Sequence, residues 1–138
     1  MTQDRLFIDT AFIQALLNPQ DDYHDRAKIL FPRVRAASEV WLTEAILVEV
    51  GNALSARNRQ GAVQFIRQCY RTENMIIISV DTDLLAQALS LYQSRSDKTW
   101  GLTDCISFIV MQANQLTTAV TSDRHFRQAG FLALMTDP

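Results

Sequence analysis

The sequence has 138 residues, of which 48% are apolar and 20% are charged. This length suits one domain with a core of its own, and the composition is that of an ordinary globular protein. The net charge of −2 argues against a generally basic nucleic-acid binder. It leaves open a local basic patch, or an acidic site that reaches nucleic acid through a metal ion. We expect a single domain over residues 1–138.

The chain carries no sign of a membrane or export signal. No apolar run approaches the roughly 20 residues needed to cross a bilayer, and the first residues lack the basic-then-apolar layout of a signal peptide. We therefore expect a cytoplasmic protein with no membrane association. Cys69 and Cys105 lie within apolar helical patterns, so we expect both thiols to be reduced and packed.

The first half of the chain alternates between short apolar runs and helical patterns. In chain order we predict a strand at 6–8, helices at 11–17 and 22–37, a strand at 40–42, and helices from 44 to about 59 and at 62–70. Asp9 follows the first strand directly. Pro32 should bend or split the second helix, and Thr43 can cap the third.

The second half continues the alternation. We predict strands at 75–80, 118–121 and 131–134, and helices that start at Asp81, span 103–113, and span 123–128 before Gly130. The run at 75–80 is the clearest strand, because it is continuous, β-branched and free of charge. The helix at 103–113 is apolar nearly all round, which is typical of a buried helix.

Alternating strands and helices indicate an α/β fold with a parallel sheet covered on both faces, since parallel neighbours need crossover connections. In open sheets of this kind, sites form at the carboxyl ends of the strands where the strand order reverses. Acidic residues at strand ends therefore become the first candidates for a functional site.

Two aspartates stand at such ends. Asp9 follows the first strand, and Asp123 comes just after the strand that ends at Thr121. Each has an ordinary interpretation as the N-cap of the helix that follows. Neither aspartate alone indicates function.

Two further acids lie on helices. Small residues surround Glu49 on its helix face, so a ligand or metal could approach it, although a surface glutamate would fit equally well. Asp104 opens a helix that is apolar on every face, where a carboxylate is costly unless its charge is offset. Its ordinary interpretation is a favourable interaction with the helix N-terminus, behind Thr103 as the cap.

The combination of acids is more informative than any member. If the carboxylates converge, they repel one another unless a cation sits among them. Oxygen ligands without a paired His or Cys favour Mg²⁺ or Mn²⁺ over Zn²⁺. His24 and His125 are far apart in sequence, and we interpret both as surface residues. Asp81 and Asp83 form a rival acidic pair that is better explained as helix capping.

At these residues the sequence resembles the PIN-domain nucleases. The matching segments contain, in that family's order, the four acids Asp9, Glu49, Asp104 and Asp123, and the resemblance covers nearly the whole chain. It implies a three-layer fold with a five-stranded parallel sheet in the order 3-2-1-4-5, with these four acids as metal-binding catalytic residues. Helper polar residues carry over to Asn52 and Thr121. Gly101 departs from the pattern, since many relatives have Ser there, and this leaves one polar contact in doubt.

The resemblance implies a metal-dependent ribonuclease that uses Mg²⁺, or alternatively Mn²⁺, to position a water molecule and bind the scissile phosphate. Basic residues must then meet the RNA backbone, and the candidates are Arg57, Arg59, Lys98, Arg124 and Arg127. For Arg57 and Arg59, contact with a helix C-terminus explains the positions equally well.

The small size resembles the VapC-type toxins of toxin–antitoxin pairs, which implies a homodimer and a cognate antitoxin. Three alternatives stay open. One is a housekeeping RNA-processing or DNA nuclease without an antitoxin, and another is a catalytically silent binding protein on the same fold. A phosphate-accepting signalling domain is the third, but the chain lacks that class's acidic pair after the first strand and its lysine near the last.

Overall fold

The computed structural model describes residues 3–136. Within that range the strands are β1 (Arg5–Ile8), β2 (Glu39–Thr43), β3 (Met75–Ile78), β4 (Thr118–Val120) and β5 (Leu132–Ala133). The helices are α1 (Thr10–Leu17), α2 (His24–Ala36), α3 (Glu44–Ala53), α4 (Arg59–Arg71), α5 (Thr82–Ser94), α6 (Leu102–Ala113) and α7 (Arg124–Gln128).

The strands form one parallel sheet in the order β3-β2-β1-β4-β5, which confirms the predicted topology. The central strand β1 pairs with β2 on one side and β4 on the other, so the order reverses between β1 and β4. Leu6, Phe7 and Ile8 are each no more than 1% exposed. Because successive strand residues point to opposite faces, helices must cover both faces of the sheet here.

The helix that carries Glu49 is shorter than predicted. We expected it to run to about Arg59, but α3 ends at Ala53 and α4 begins at Arg59. The Asn58 side chain accepts a hydrogen bond from the Gly61 amide (3.0 Å) and so caps α4. The continuing alanine pattern suggested one helix, whereas the capping preference of asparagine separates two.

Three other expectations differ in detail. Helix α2 begins at His24 rather than at residue 22, because Asp21 accepts the Tyr23 amide (2.8 Å) and holds a turn. Helix α2 continues through Pro32 without a break; that residue is exposed, so water can satisfy the carbonyl that its ring leaves unpaired. Strand β3 ends at Ile78 rather than at residue 80, and at the sheet edge it is half-buried along its whole length.

Several local predictions are confirmed. Thr43 caps α3 through the Ile46 amide (3.3 Å), and Asp81 caps α5 through the Leu84 amide (2.8 Å). Cys69 and Cys105 are buried and are not joined in a disulfide. Among residues 3–136, no helix is both long enough and apolar enough to cross a membrane.

Candidate active site

The four acids predicted from the sequence line one pocket of about 930 Å³ at the carboxyl edge of the sheet. Asp9 directly follows β1, and Asp123 lies beyond the end of neighbouring β4. Glu49 comes from α3 and Asp104 from α6, which pack against each other. The pocket therefore lies where the strand order reverses, as expected for an open parallel sheet.

Asp9 is the most buried of these acids, with 5% of its surface exposed. Its Oδ2 accepts a hydrogen bond from the Thr121 hydroxyl (2.9 Å). Burial raises the pKa of Asp9 to about 7, and the nearby charges of Asp104 and Asp123 act in the same direction while Thr121 opposes them. A nearby cation would stabilise the ionised form of a carboxyl group in this setting.

Thr121 connects the two strand-end aspartates. Besides donating to Asp9, its Oγ1 accepts the backbone N–H of Asp123 (3.0 Å), and the residue is fully buried. Asn52, the other predicted helper, is exposed one turn beyond Glu49 and lines the same pocket.

Glu49 is positioned by a residue that sequence reasoning missed. The hydroxyl of Thr10 donates to Glu49 Oε1 (2.7 Å), which links the start of α1 to α3. Thr10 follows Asp9 directly, so its place beside a candidate ligand was visible in the sequence. Its partner was not, because the two residues are 39 positions apart.

Asp104 is the third residue of α6 rather than the first, and the predicted cap at Thr103 is wrong. The N-cap position is Gly101, whose amide N–H donates to Asp104 Oδ2 (3.1 Å). Glycine has no side chain with which to make the polar contact that a serine could make here, and the N-cap position carries only this backbone contact to Asp104. Burial raises the pKa of Asp104, and the charge of Asp123 acts in the same direction.

His125 was predicted to lie on the surface, and this prediction is wrong. Its side chain is 18% exposed, and its Nδ1 lies 2.8 Å from Asp104 Oδ2 and 3.3 Å from Asp123 Oδ1. The other ring nitrogen, Nε2, lies 3.2 Å from Thr99 Oγ1. The sequence signal that could have placed His125 at the site was its position two residues after an aspartate that caps a helix. His24 is half-buried, and its Nδ1 lies 2.7 Å from a backbone carbonyl oxygen of α1.

The charges around the pocket suit a hard cation. Six carboxylates and no lysine or arginine occur among the described residues that line it; the carboxylates belong to Asp9, Asp21, Asp22, Glu49, Asp104 and Asp123. Potential ligand atoms of Asp104, Asp123 and His125 lie within 4.8 Å of one another. Oxygen-rich donor sets of this kind fit Mg²⁺ or Mn²⁺, so the residues present fit the predicted metal.

The basic residues proposed for RNA lie outside the pocket lining. Arg124 and Arg127 are exposed on α7, and Lys98 is half-buried in the segment before α6. Arg57 is exposed in the turn after α3. Arg59 begins α4 and donates to the backbone carbonyl of Ser55 in that same turn (3.2 Å), beyond the end of α3.

Comparisons with known proteins agree with this architecture. The family model described as PIN domain matches residues 6–132. VapC20 from Mycobacterium tuberculosis, described as a toxin that cleaves the sarcin-ricin loop, is 26% identical with a TM-score of 0.84, over 92% of this chain and 96% of that chain. FitAcB from Neisseria gonorrhoeae is 17% identical with a TM-score of 0.61, over 93% and 94%, and indicates the fold alone. No curated protein sequence matches the chain.

Proposed function

Because this chain belongs to the PIN-domain family, we propose that it is a metal-dependent endoribonuclease, acts as one domain, and is the toxin of a toxin–antitoxin pair. One observation carries the enzymatic part of this proposal. Asp9, Glu49, Asp104 and Asp123 come from four separate parts of the chain, yet all line one pocket. Such a concentration of negative charge is unfavourable unless it binds a cation.

The four acids would hold Mg²⁺, with Mn²⁺ as an alternative that takes the same oxygen ligands. When bound, the ion would supply positive charge for the phosphate oxygens and lower the pKa of the attacking water. The chain's own polar groups hold the acids in place. Thr121 holds Asp9, and Thr10 holds Glu49 (2.9 and 2.7 Å). Glu49 is only half-buried, so it can also accept a hydrogen bond from water.

RNA would approach the pocket over a surface that carries positive charge. Arg124 stands next to Asp123, and Lys98 lies in the segment that Thr99 connects to His125 (3.2 Å). We propose that these residues, together with Arg57, Arg59 and Arg127, contact phosphates of the substrate. Contacts of this kind position RNA without reading its sequence.

The toxin part of the proposal is supported by the likeness to VapC20, whose description names it a toxin. A cognate antitoxin and a homodimer belong to the same proposal. A groove of about 1020 Å³ offers a place for a protein partner between α1, α2 and α4. Its lining includes Phe31 and Phe65, together with Arg35, Arg67 and Arg71, which would favour an apolar segment with acidic flanks.

The test is cleavage of a pool of structured RNAs by the purified protein in Mg²⁺, in Mn²⁺ and in EDTA. The proposal expects fragments with either metal and none with EDTA. A double variant, Asp9→Asn with Asp104→Asn, serves as the control for contaminating nucleases and should yield no fragments. Cutting that persists in EDTA, or in the double variant, would refute the proposal.

A further inference from the structure

The contacts of His125 carry an inference about the proposed site, and it rests on the function proposed above. We propose that His125 is a positioning residue that stays outside the metal's ligand set. It would orient the Asp104 carboxylate through Nδ1–H, while Thr99 holds its other ring nitrogen. The metal would then be bound by oxygen ligands alone.

Helix α7 fixes where His125 can point. The next residue, Phe126, is fully buried, and its ring lies 5.0 Å from that of Phe108 and 6.2 Å from that of Phe7. At the start of the helix, Asp123 accepts the backbone N–H of His125 (2.9 Å). Because these contacts hold the backbone on both sides of His125, they restrict the orientations that the imidazole can adopt.

Both ring nitrogens have partners. Nδ1 lies 2.8 Å from Asp104 Oδ2, which can only accept when ionised, so Nδ1 carries the proton. Nε2 then carries the lone pair and accepts from the hydroxyl of Thr99 (3.2 Å). This assignment satisfies both contacts and directs an N–H, rather than a lone pair, from Nδ1 towards the pocket. These two hydrogen bonds argue more strongly against metal ligation by His125 than the short distances from its ring to Asp104 and Asp123 argue for it.

The hydrogen bond between Thr99 and His125 matters because further contacts hold the segment that contains Thr99 in place. Arg95 forms an ion pair with Asp97 (3.0 Å) and lies 4.9 Å from the centre of the Trp100 ring. Trp100 is buried and donates from Nε1 to Gln128 on α7 (2.9 Å). Thr99 therefore holds the imidazole from a fixed position.

The contacts of His125 help to orient the Asp104 carboxylate. Its Oδ2 accepts two hydrogen bonds, from His125 and from the Gly101 amide (2.8 and 3.1 Å). The carboxylate is thereby oriented so that Oδ1 is the oxygen left for a cation. Partners that orient metal ligands in this way commonly change metal affinity by about 10–100-fold when they are removed.

The first test is pulsed electron paramagnetic resonance of the protein loaded with Mn²⁺. A directly ligated imidazole gives a strong ¹⁴N coupling, and we expect that coupling to be absent. A strong ¹⁴N coupling that disappears in His125→Phe would make His125 a ligand and would overturn the inference. Failure of the wild-type protein to bind Mn²⁺ would also overturn it.

The second test measures Mg²⁺ affinity by calorimetry for three variants. His125→Phe removes the donor and should weaken binding by about 10–100-fold. His125→Asn keeps a donor near the Nδ1 position and should restore most of the affinity, whereas Thr99→Val, which removes only the outer contact, should cause a smaller loss. Unchanged affinity in His125→Phe would contradict the inference. Thermal unfolding of each variant checks that it is folded; should His125→Phe fail to fold, His125→Asn and Thr99→Val still decide.

These measurements need no RNA, so their failure can be told apart from failure of the proposed function. Metal binding that behaves as described, in a protein that cuts no RNA, would refute the function and leave the inference standing. In a protein that does cut RNA, loss of the His125 donor should lower kcat and leave KM nearly unchanged. That split is expected because His125 acts on a metal ligand and is not itself among the residues proposed to contact RNA.

Discussion

The hydroxyl of Thr121 donates a hydrogen bond to Asp9 (Oγ1···Oδ2, 2.9 Å) across the point where the strand order reverses. The same oxygen accepts the backbone N–H of Asp123 (3.0 Å). A single buried hydroxyl thus ties together the ends of β1 and β4 and fixes the separation of two acids. The separation of these two acids therefore depends on the strand order of the sheet as well as on side-chain contacts.

Thr121→Val should destabilise the protein although it preserves side-chain shape. It removes the side-chain donor of the buried Asp9 carboxylate, which keeps a backbone hydrogen bond from Thr10, and it leaves the Asp123 amide without its acceptor. An unsatisfied buried group costs about 1–3 kcal/mol. Urea unfolding at pH 8 measures this loss. Thr121→Ser keeps the hydroxyl and should lose less. Thr118→Val, at the half-buried start of β4, is the matched control, since Thr121 directly follows that strand. Equal stabilities of Thr121→Val and Thr118→Val would contradict the role of the hydroxyl.

Asp9→Asn should stabilise the metal-free protein, and more so as the pH rises. The folded pKa of Asp9 is about 7, against 3.8 for an ordinary aspartate, so the folded state holds a proton that the unfolded state releases between these values. The stability that this proton contributes is present at low pH and is lost as the pH rises towards 7. Since one pKa unit corresponds to about 1.4 kcal/mol, the variant should gain several kcal/mol relative to the wild type between pH 4 and pH 8.

Urea unfolding in EDTA at pH 4, 5, 6, 7 and 8 measures that gain for the wild type and for Asp9→Asn. Asp83→Asn, which changes an exposed aspartate outside the pocket, is the control variant. A difference between Asp9→Asn and the wild type that stays constant with pH would contradict the raised pKa.

Mg²⁺ should raise the melting temperature of the wild-type protein, because a ligand that binds only the folded state stabilises it. A concentration of about 100 times Kd corresponds to about 2.7 kcal/mol. Thermal unfolding with Mg²⁺, and with NaCl at matched ionic strength, separates binding from screening. The Asp9→Asn, Asp104→Asn double variant should show no response to Mg²⁺ beyond that to NaCl. A wild-type protein that responds equally to both salts would argue against a metal site.

RNA cleavage should weaken steeply with added NaCl, because binding through phosphates releases counterions. Plotting log kcat/KM against log salt concentration gives a slope that reports the number of contacts. Arg124→Gln should reduce the magnitude of that slope by about one. Arg33→Gln is the control, since its guanidinium is paired with Asp4 (2.9 Å). An unchanged slope for Arg124→Gln would remove this residue from the proposed RNA surface.

The parallel α/β sheet and three of the four acids could be predicted from the sequence because each rests on a local signal. Asp9 and Asp123 follow apolar strands, and Asp104 lies in the first turn of an all-round apolar helix. The family resemblance added the strand order, which periodicity cannot supply. The end of α3 was missed because a run of small residues continues past Ala53, and only the cap at Asn58 shows the break.

The partners of the acids could not be predicted, because they lie far away along the chain. Thr10 and Glu49 are 39 positions apart, and Asp104 and His125 are 21 apart. His125 was interpreted as a surface residue because no second histidine stands at a ligand spacing. Its role depends on how α7 packs against α6, and this packing is a property of the folded chain that no local pattern records.

The most direct measurement of the central claim is the cleavage rate of one labelled RNA by single amide variants of the four acids. Asp9→Asn, Glu49→Gln, Asp104→Asn and Asp123→Asn should each slow cleavage by about 100-fold or more, as loss of a preorganised electrostatic group does. Glu73→Gln and Asp83→Asn, which change exposed acids outside the pocket, should retain the wild-type rate. Full activity in Asp9→Asn and Asp104→Asn would contradict the assignment of this pocket as the active site.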